Sequence, residues 1–183
     1  ENNARDRRLT EEEEKCLLEN SPGWLGEIII FSLNTGLRLG ELISLEWSRV
    51  DIDKKTIFID KTKNGDRKTI PLNKNALKVI NSLSKVRNIK NDYVFLNRRS
   101  GKINPVSLSV AFRRSLEKAK ITNFRFHDLR HCFATRMAQK GIDLYMISKL
   151  LGHKNIKMTQ RYAHHCPESL RSGVDALDSD YIS

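Results

Sequence analysis

Apolar positions along this chain follow two different periods, and the change between them marks out its parts. Thr10 and Glu13 have the spacing of a capping box, with Leu17 and Leu18 behind them, so a helix starts there. Ser21-Pro22 resembles a second cap, with proline at the first helical position. The run Trp24 to Leu33 is apolar on nearly every face, which predicts a buried central helix stopped by Gly36. Leu39, Leu42 and Leu45 suggest another short helix. The period then shortens to two: Val50 and Ile52, Ile57 and Ile59, and Ile70 and Leu72 alternate with polar residues. Asn64-Gly65 lies between the last two runs and is a two-residue hairpin signal.

Three strands are therefore predicted, over 47–52, 56–62 and 67–72. Helical patterns resume over 74–85, 105–119, 127–140, 143–151, 155–163 and 167–177. Asn104-Pro105 and Asp143 mark starts, Gly141 and Gly152 mark stops, and Val94 to Leu96 reads as a short extended piece. The expected fold class is α+β: a mostly helical single domain with a small three-stranded antiparallel sheet. Residues 1–9 lack periodicity and read as a linker or truncated end, ahead of one domain over 10–183.

Composition narrows the class. A chain of 183 residues with 39% hydrophobic and 30% charged residues fits one globular domain. Its longest apolar stretch, Ile28 to Leu33, is interrupted by Ser32 and is too short to cross a bilayer. The charged segment Glu1 to Glu14 has no apolar region of the signal-peptide kind. Cys16, Cys132 and Cys166 are odd in number and lack CxxC spacing, which argues against a disulfide framework and fits a reducing, cytoplasmic setting. The net charge of +11 favours a polyanionic partner, and nucleic acid is the commonest such partner.

Taken singly, the chemically interesting residues are weak signals. Arg38 follows Gly36 in a turn that lacks the GxxxxGK[ST] spacing, so ATP hydrolysis is not indicated; an isolated arginine there is ordinarily a surface or ion-paired residue. His127, Arg130 and His131 share one helical face, which suits an anion, although either histidine alone could be structural. Histidines four apart could also share a metal, but Asp128 stands where the zincin motif needs glutamate. His164, His165 and Cys166 lack supporting spacing. His153 follows a helix-ending glycine, and Tyr162 would alone be a packed ring with a solvated hydroxyl. Lys61, Lys63, Arg67 and Lys68 crowd the predicted hairpin, where a solvated turn is the plain alternative.

In order, however, TGLRLGEL, KTKNGDRKTIPL, FRFHDLRHCFATRMAQKG and ISKLLGHKNIKMTQRYAH resemble the tyrosine site-specific recombinase, or phage integrase, family over about residues 35–165. The opening RRLTEEE also looks like the usual start of that family's catalytic domain. The resemblance implies a DNA strand transferase whose nucleophile is Tyr162, leaving a 3′-phosphotyrosyl link and a free 5′-hydroxyl. It implies that Arg38 and Arg130 grip the phosphate and that Lys63 protonates the departing oxygen. It gives His127 a part in moving the tyrosine proton, His153 a hydrogen bond to the phosphate, and His131 a supporting place. No metal and no cofactor is implied.

Double-stranded DNA is the implied partner, held by a homo-tetramer on two sites, with a monomer as the alternative for this stretch alone, and no membrane. Arg113 and Arg114, with Lys61 and Arg67, are candidate DNA contacts, against a merely solvated face. The N-terminal DNA-binding domains common in the family do not precede Glu1, so a fragment is expected, with 166–183 as a tail suited to docking. The alternatives are a type IB topoisomerase-like strand transferase, a DNA-binding regulator without catalysis, and a metal-dependent hydrolase using His127 and His131.

Overall fold

A computed structural model describes residues 7–60, 67–97, 101–166 and 174. Its first helix, α1 (Glu11–Glu19), begins at Thr10, whose side chain accepts the Glu13 N–H while the Glu13 side chain accepts the Thr10 N–H. That reciprocal cap contributes about 1 kcal/mol. Helix α2 (Gly23–Thr35) is the centre of the domain. Leu25, Ile28, Ile29, Phe31 and Leu33 are buried, while Glu27 and Asn34, seven residues apart, share its partly exposed side. Pro22 is the cap residue itself rather than the first helical position. Gly36 ends α2 at φ +63, a left-handed conformation that costs glycine least.

After α3 (Leu39–Ile43), a 3₁₀ turn at Trp47–Arg49 leads into the sheet. Strands β1 (Val50–Asp51), β2 (Thr56–Ile59) and β3 (Lys68–Pro71) pair antiparallel in the order β1-β2-β3. The expected first strand is shortened because the Trp47 N–H goes to the Asp92 carbonyl and the Arg49 N–H to the Glu46 carbonyl, which withdraws both from the ladder. The register sets Ile57 opposite Ile70 and Ile59 opposite Lys68. Alternation therefore turns Lys68 inward beside Ile70, while Thr69 and Pro71 face out.

Helices α4 (Lys74–Ser84), α5 (Pro105–Lys118), α6 (Asp128–Gln139) and α7 (Leu144–Leu151) complete the body. α2 packs on α4, α5 and α6, and α7 packs on α6 and β3. The extended piece around Val94 to Leu96 survives as two isolated bridges, Glu46 with Tyr93 and Leu96 with Lys102. The helix expected over 155–163 is instead a single turn, α8 (Lys157–Gln160), followed by a 3₁₀ turn at Ala163–His165. Its backbone bonds run three residues back, from Tyr162 to Thr159 and from His165 to Tyr162, so the chain winds too tightly to continue an α-helix. The helix expected over 167–177 lies outside the described residues, apart from Val174, which is helical.

Two hydrophobic clusters result. The large one surrounds α2; the smaller gathers Phe133, Ala134, Ala138, Ile147, Leu151 and Tyr162. No described helix is long and apolar enough to cross a membrane.

Candidate active site

Four segment ends meet between the two clusters: the turn after α2, the start of α6, the end of α7, and the turn after α8. Arg38, His127, Arg130, His131, His153 and Tyr162 line one cleft there, of about 640 Å³, together with Lys157, Met158, Arg161 and His164. A larger groove, about 940 Å³, lies beside α1 and the far part of α6. It is lined by Arg8, Cys132 and Arg136 among others, and holds none of the candidate residues.

Arg130 is fixed by carbonyls. Its guanidinium donates to the Gly36 oxygen at 2.7 Å and to the Leu151 oxygen at 2.6 Å, so the ends of α2 and α7 set its plane. It is 4% exposed, and burial followed by the nearby Arg38 lowers its pKa to about 10, leaving it charged at neutral pH. Arg38 donates to Glu41 at 3.0 Å and to the Gly152 carbonyl at 3.5 Å. The left-handed Gly36 and Gly152 thus turn the chain where both arginines find acceptors.

Beneath the arginines lies a buried ion pair between Lys68 Nζ and Glu41 at 2.9 Å. Burial lowers Lys68 to about 8 despite the Glu41 carboxylate, and Arg130 and Arg38 push it the same way. Burial alone would raise Glu41, but Lys68 and the Arg38 backbone N–H outweigh it and hold the carboxyl below its usual range. Glu41 therefore anchors both Arg38 and Lys68.

The imidazoles are kept neutral. Burial, then Arg130, lowers His153 to about 4; its Nδ1 lies 2.8 Å from the Thr159 hydroxyl. Burial, then His127, lowers His131 to about 4, and burial, then Arg130, also lowers His127. The His127 and His131 rings meet edge to face at 5.0 Å. His131 Nδ1 lies 2.6 Å from the Tyr162 hydroxyl, whose ring is 5% exposed on the smaller cluster. A neutral imidazole, a phenol and two guanidiniums around one opening can hold an oxyanion and move a proton.

Lys61 and Lys63 lie outside the described residues. Arg67 is on the surface and pairs with Asp60 at 3.3 Å. Arg113 and Arg114 are exposed on α5, with Arg113 near Glu117, and neither lines the cleft. Among the described residues, no three His, Cys, Asp or Glu side chains converge as a metal site would require. Sequence reasoning passed over Glu41, Thr159 and Arg161, treated Lys68 only as part of a charged turn, and gave His131 no contact with Tyr162. Only Glu41 left a signal, three residues after Arg38 at capping-box spacing.

The phage integrase family model matches residues 7–169. The chain is 32% identical over 190 residues to the integrase of Salmonella phage P22, covering 97% of this chain and 48% of that one. It is 30% identical over 171 residues to the tyrosine recombinase XerA of Pyrococcus horikoshii, covering 91% of this chain and 60% of that one. It thus spans about half the length of these relatives. Among solved structures, an XerA recombinase superposes with a TM-score of 0.75 at 28% identity, over 92% of this chain and 64% of that one. A Tn1549 transposon integrase in complex with transposon right end DNA superposes at 0.81 with 21% identity, over 97% and 68%, a likeness of fold.

Proposed function

Since the chain belongs to the phage integrase family, we propose that it is the strand-cleaving and rejoining domain of a site-specific DNA recombinase, spanning about residues 10–183. The observation that carries this reading is the Tyr162 hydroxyl facing the same cleft as the Arg130 and Arg38 guanidiniums. The phenol oxygen attacks the scissile phosphorus, and the two guanidiniums hold the non-bridging oxygens as negative charge develops there. His153, held by Thr159, donates a further hydrogen bond from the ring nitrogen that Thr159 does not occupy. Lys63 protonates the departing 5′-oxygen, and His127 assists on the tyrosine side.

The phosphotyrosine conserves the bond energy, so rejoining needs no nucleotide triphosphate. Double-stranded DNA is the substrate, engaged by four copies on two duplexes, in a soluble, DNA-associated protein of the cytoplasm. Arg67, Arg113, Arg114 and Lys61 add phosphate contacts, consistent with the net charge of +11.

The test uses the full-length protein that contains this chain and nicked duplexes made from the DNA flanking its own gene. An SDS-resistant adduct forms with the wild type and is absent with Tyr162→Phe, which still binds DNA. An undiminished adduct in that variant overturns the assignment. Relaxation of supercoils without joining of partner sites would instead favour a type IB topoisomerase-like strand transferase.

A further inference from the structure

We propose that His131 is the proton acceptor for the nucleophile: its Nδ1 holds the Tyr162 hydroxyl in place and takes the hydroxyl proton as the phenolate attacks DNA phosphorus. The proposal rests on the strand-transfer reading above. It gives the proton itself to His131, the imidazole next to the His127 that assists on the tyrosine side.

The geometry supports this directly. The Tyr162 oxygen lies 2.6 Å from His131 Nδ1, at the short end for a hydroxyl-to-nitrogen bond. The His127 and His131 rings meet edge to face, 5.0 Å between centroids. Both rings project from the start of α6, while Tyr162 arrives from the turn after α8. The hydroxyl therefore has His131 Nδ1 within hydrogen-bond reach.

The surroundings decide which partner donates. Facing His131 are His127, Asp128 and Arg130 from α6, Arg161 from the α8 turn, and His153 from the end of α7. Burial first, and then the neighbouring His127, Arg161 and Arg130 against Asp128, keep the imidazole neutral. A neutral imidazole with its proton on Nε2 presents a lone pair at Nδ1, so the tyrosine donates. The same charges give the device its control. A phosphodiester seated between Arg38 and Arg130 brings a negative charge into the cleft, and that anion raises the proton affinity of His131. The base becomes strong when a target is present and stays weak otherwise.

The step balances. The Tyr162 O–H bond breaks and its proton passes to Nδ1, giving an imidazolium. The tyrosine oxygen bonds to phosphorus, the bond from phosphorus to the 5′-oxygen breaks, and that oxygen takes a proton from a separate acid. In rejoining, the 5′-hydroxyl returns its proton to the conjugate base of that acid as its oxygen bonds to phosphorus, the bond from phosphorus to the tyrosine oxygen breaks, and the imidazolium gives its proton to the departing tyrosine oxygen.

The test measures single-turnover cleavage by the full-length protein on the same nicked duplexes, with oxygen or sulfur as the bridging 5′ leaving atom. Sulfur leaves without needing a proton and so reports only on the attacking side. His131→Ala lowers the rate about 10²- to 10⁴-fold on both substrates, the range for loss of a general base. Lys63→Ala loses activity on the oxygen substrate and recovers it with sulfur. His131→Ala within threefold of wild type on both substrates, or restored by sulfur, overturns the proposal.

A second readout is independent of turnover. In ¹⁵N spectra of this chain, His131 Nδ1 has the signature of an unprotonated acceptor, and Tyr162→Phe shifts it. A protonated Nδ1, or a signal that ignores Tyr162→Phe, also overturns the proposal. A wild type that yields no adduct on any of these duplexes overturns the strand-transfer reading itself. A wild type that reacts beside an equally reactive His131→Ala overturns only the role of His131.

Discussion

Replacing Lys68 with methionine tests how the floor of the cleft is held. Lys68 is 9% exposed, and its ammonium sits 2.9 Å from Glu41 and 3.5 Å from the Leu151 carbonyl. Its pKa falls from 10.5 to about 8, and that fall already includes the attraction of Glu41. At 1.36 kcal/mol per pH unit, holding the charged form in this site costs about 3 kcal/mol relative to a neutral side chain.

Below pH 8 both folded and unfolded chains carry the Lys68 proton, and the full cost is present. Between about 8 and 10.5 the folded chain has released that proton and the unfolded chain has not. Stability therefore rises with pH through this window. The methionine side chain cannot titrate, and Glu41 keeps its 3.0 Å bond to Arg38 in the variant. Lys68→Met should thus be at least as stable as wild type at pH 7, and wild type should gain about 3 kcal/mol on it by pH 10.5.

Urea unfolding of both proteins at half-unit steps from pH 7 to 10.5 measures this, because the other lysines titrate alike in the two chains. Parallel stability curves would refute the reasoning. So would a loss of about 3–5 kcal/mol at pH 7, the cost of leaving the Glu41 carboxylate buried and uncompensated.

Other outcomes follow from the same geometry. Gly36→Ala places a methyl 2.5 Å from the Phe133 ring at φ +63, so left-handed strain and overpacking together cost about 3 kcal/mol in urea unfolding. Gly26→Ala, with nothing within 4 Å on the same helix, should instead gain about 0.5–1 kcal/mol. Equal effects at the two glycines would remove the steric argument. His131 and His153 titrate near 4 rather than 6.5, so between those values the unfolded chain binds more protons and stability falls as pH drops. His153→Gln should flatten that acid slope, and an unchanged slope would mean the ring is not held neutral.

Much of the frame was legible because it is local. The apolar run of α2, the Thr10 cap and the Gly36 stop each act within a few residues, and HDLRH sets two rings and a guanidinium on one helical surface through period alone. The links between segments were not legible. Lys68 meets Glu41 across 27 residues and His131 meets Tyr162 across 31, and only packing of α7 against β3 and α6 brings such pairs together. The same holds for Tyr162's own turn. Helical periodicity over 155–163 could not show that the backbone tightens at Thr159 and ends α8 early.

Tyr162 rests on the smaller of the two hydrophobic clusters, with Ile147 and Leu151, while α2 and the sheet belong to the larger one. Cooperative unfolding units tend to follow such divisions. The seat of the nucleophile thus rests on far fewer buried side chains than the body does. A side chain trimmed at Ile147 or Leu151, both fully buried, would cost about 2–5 kcal/mol right under the tyrosine, and so would alter how long the tyrosine dwells in position.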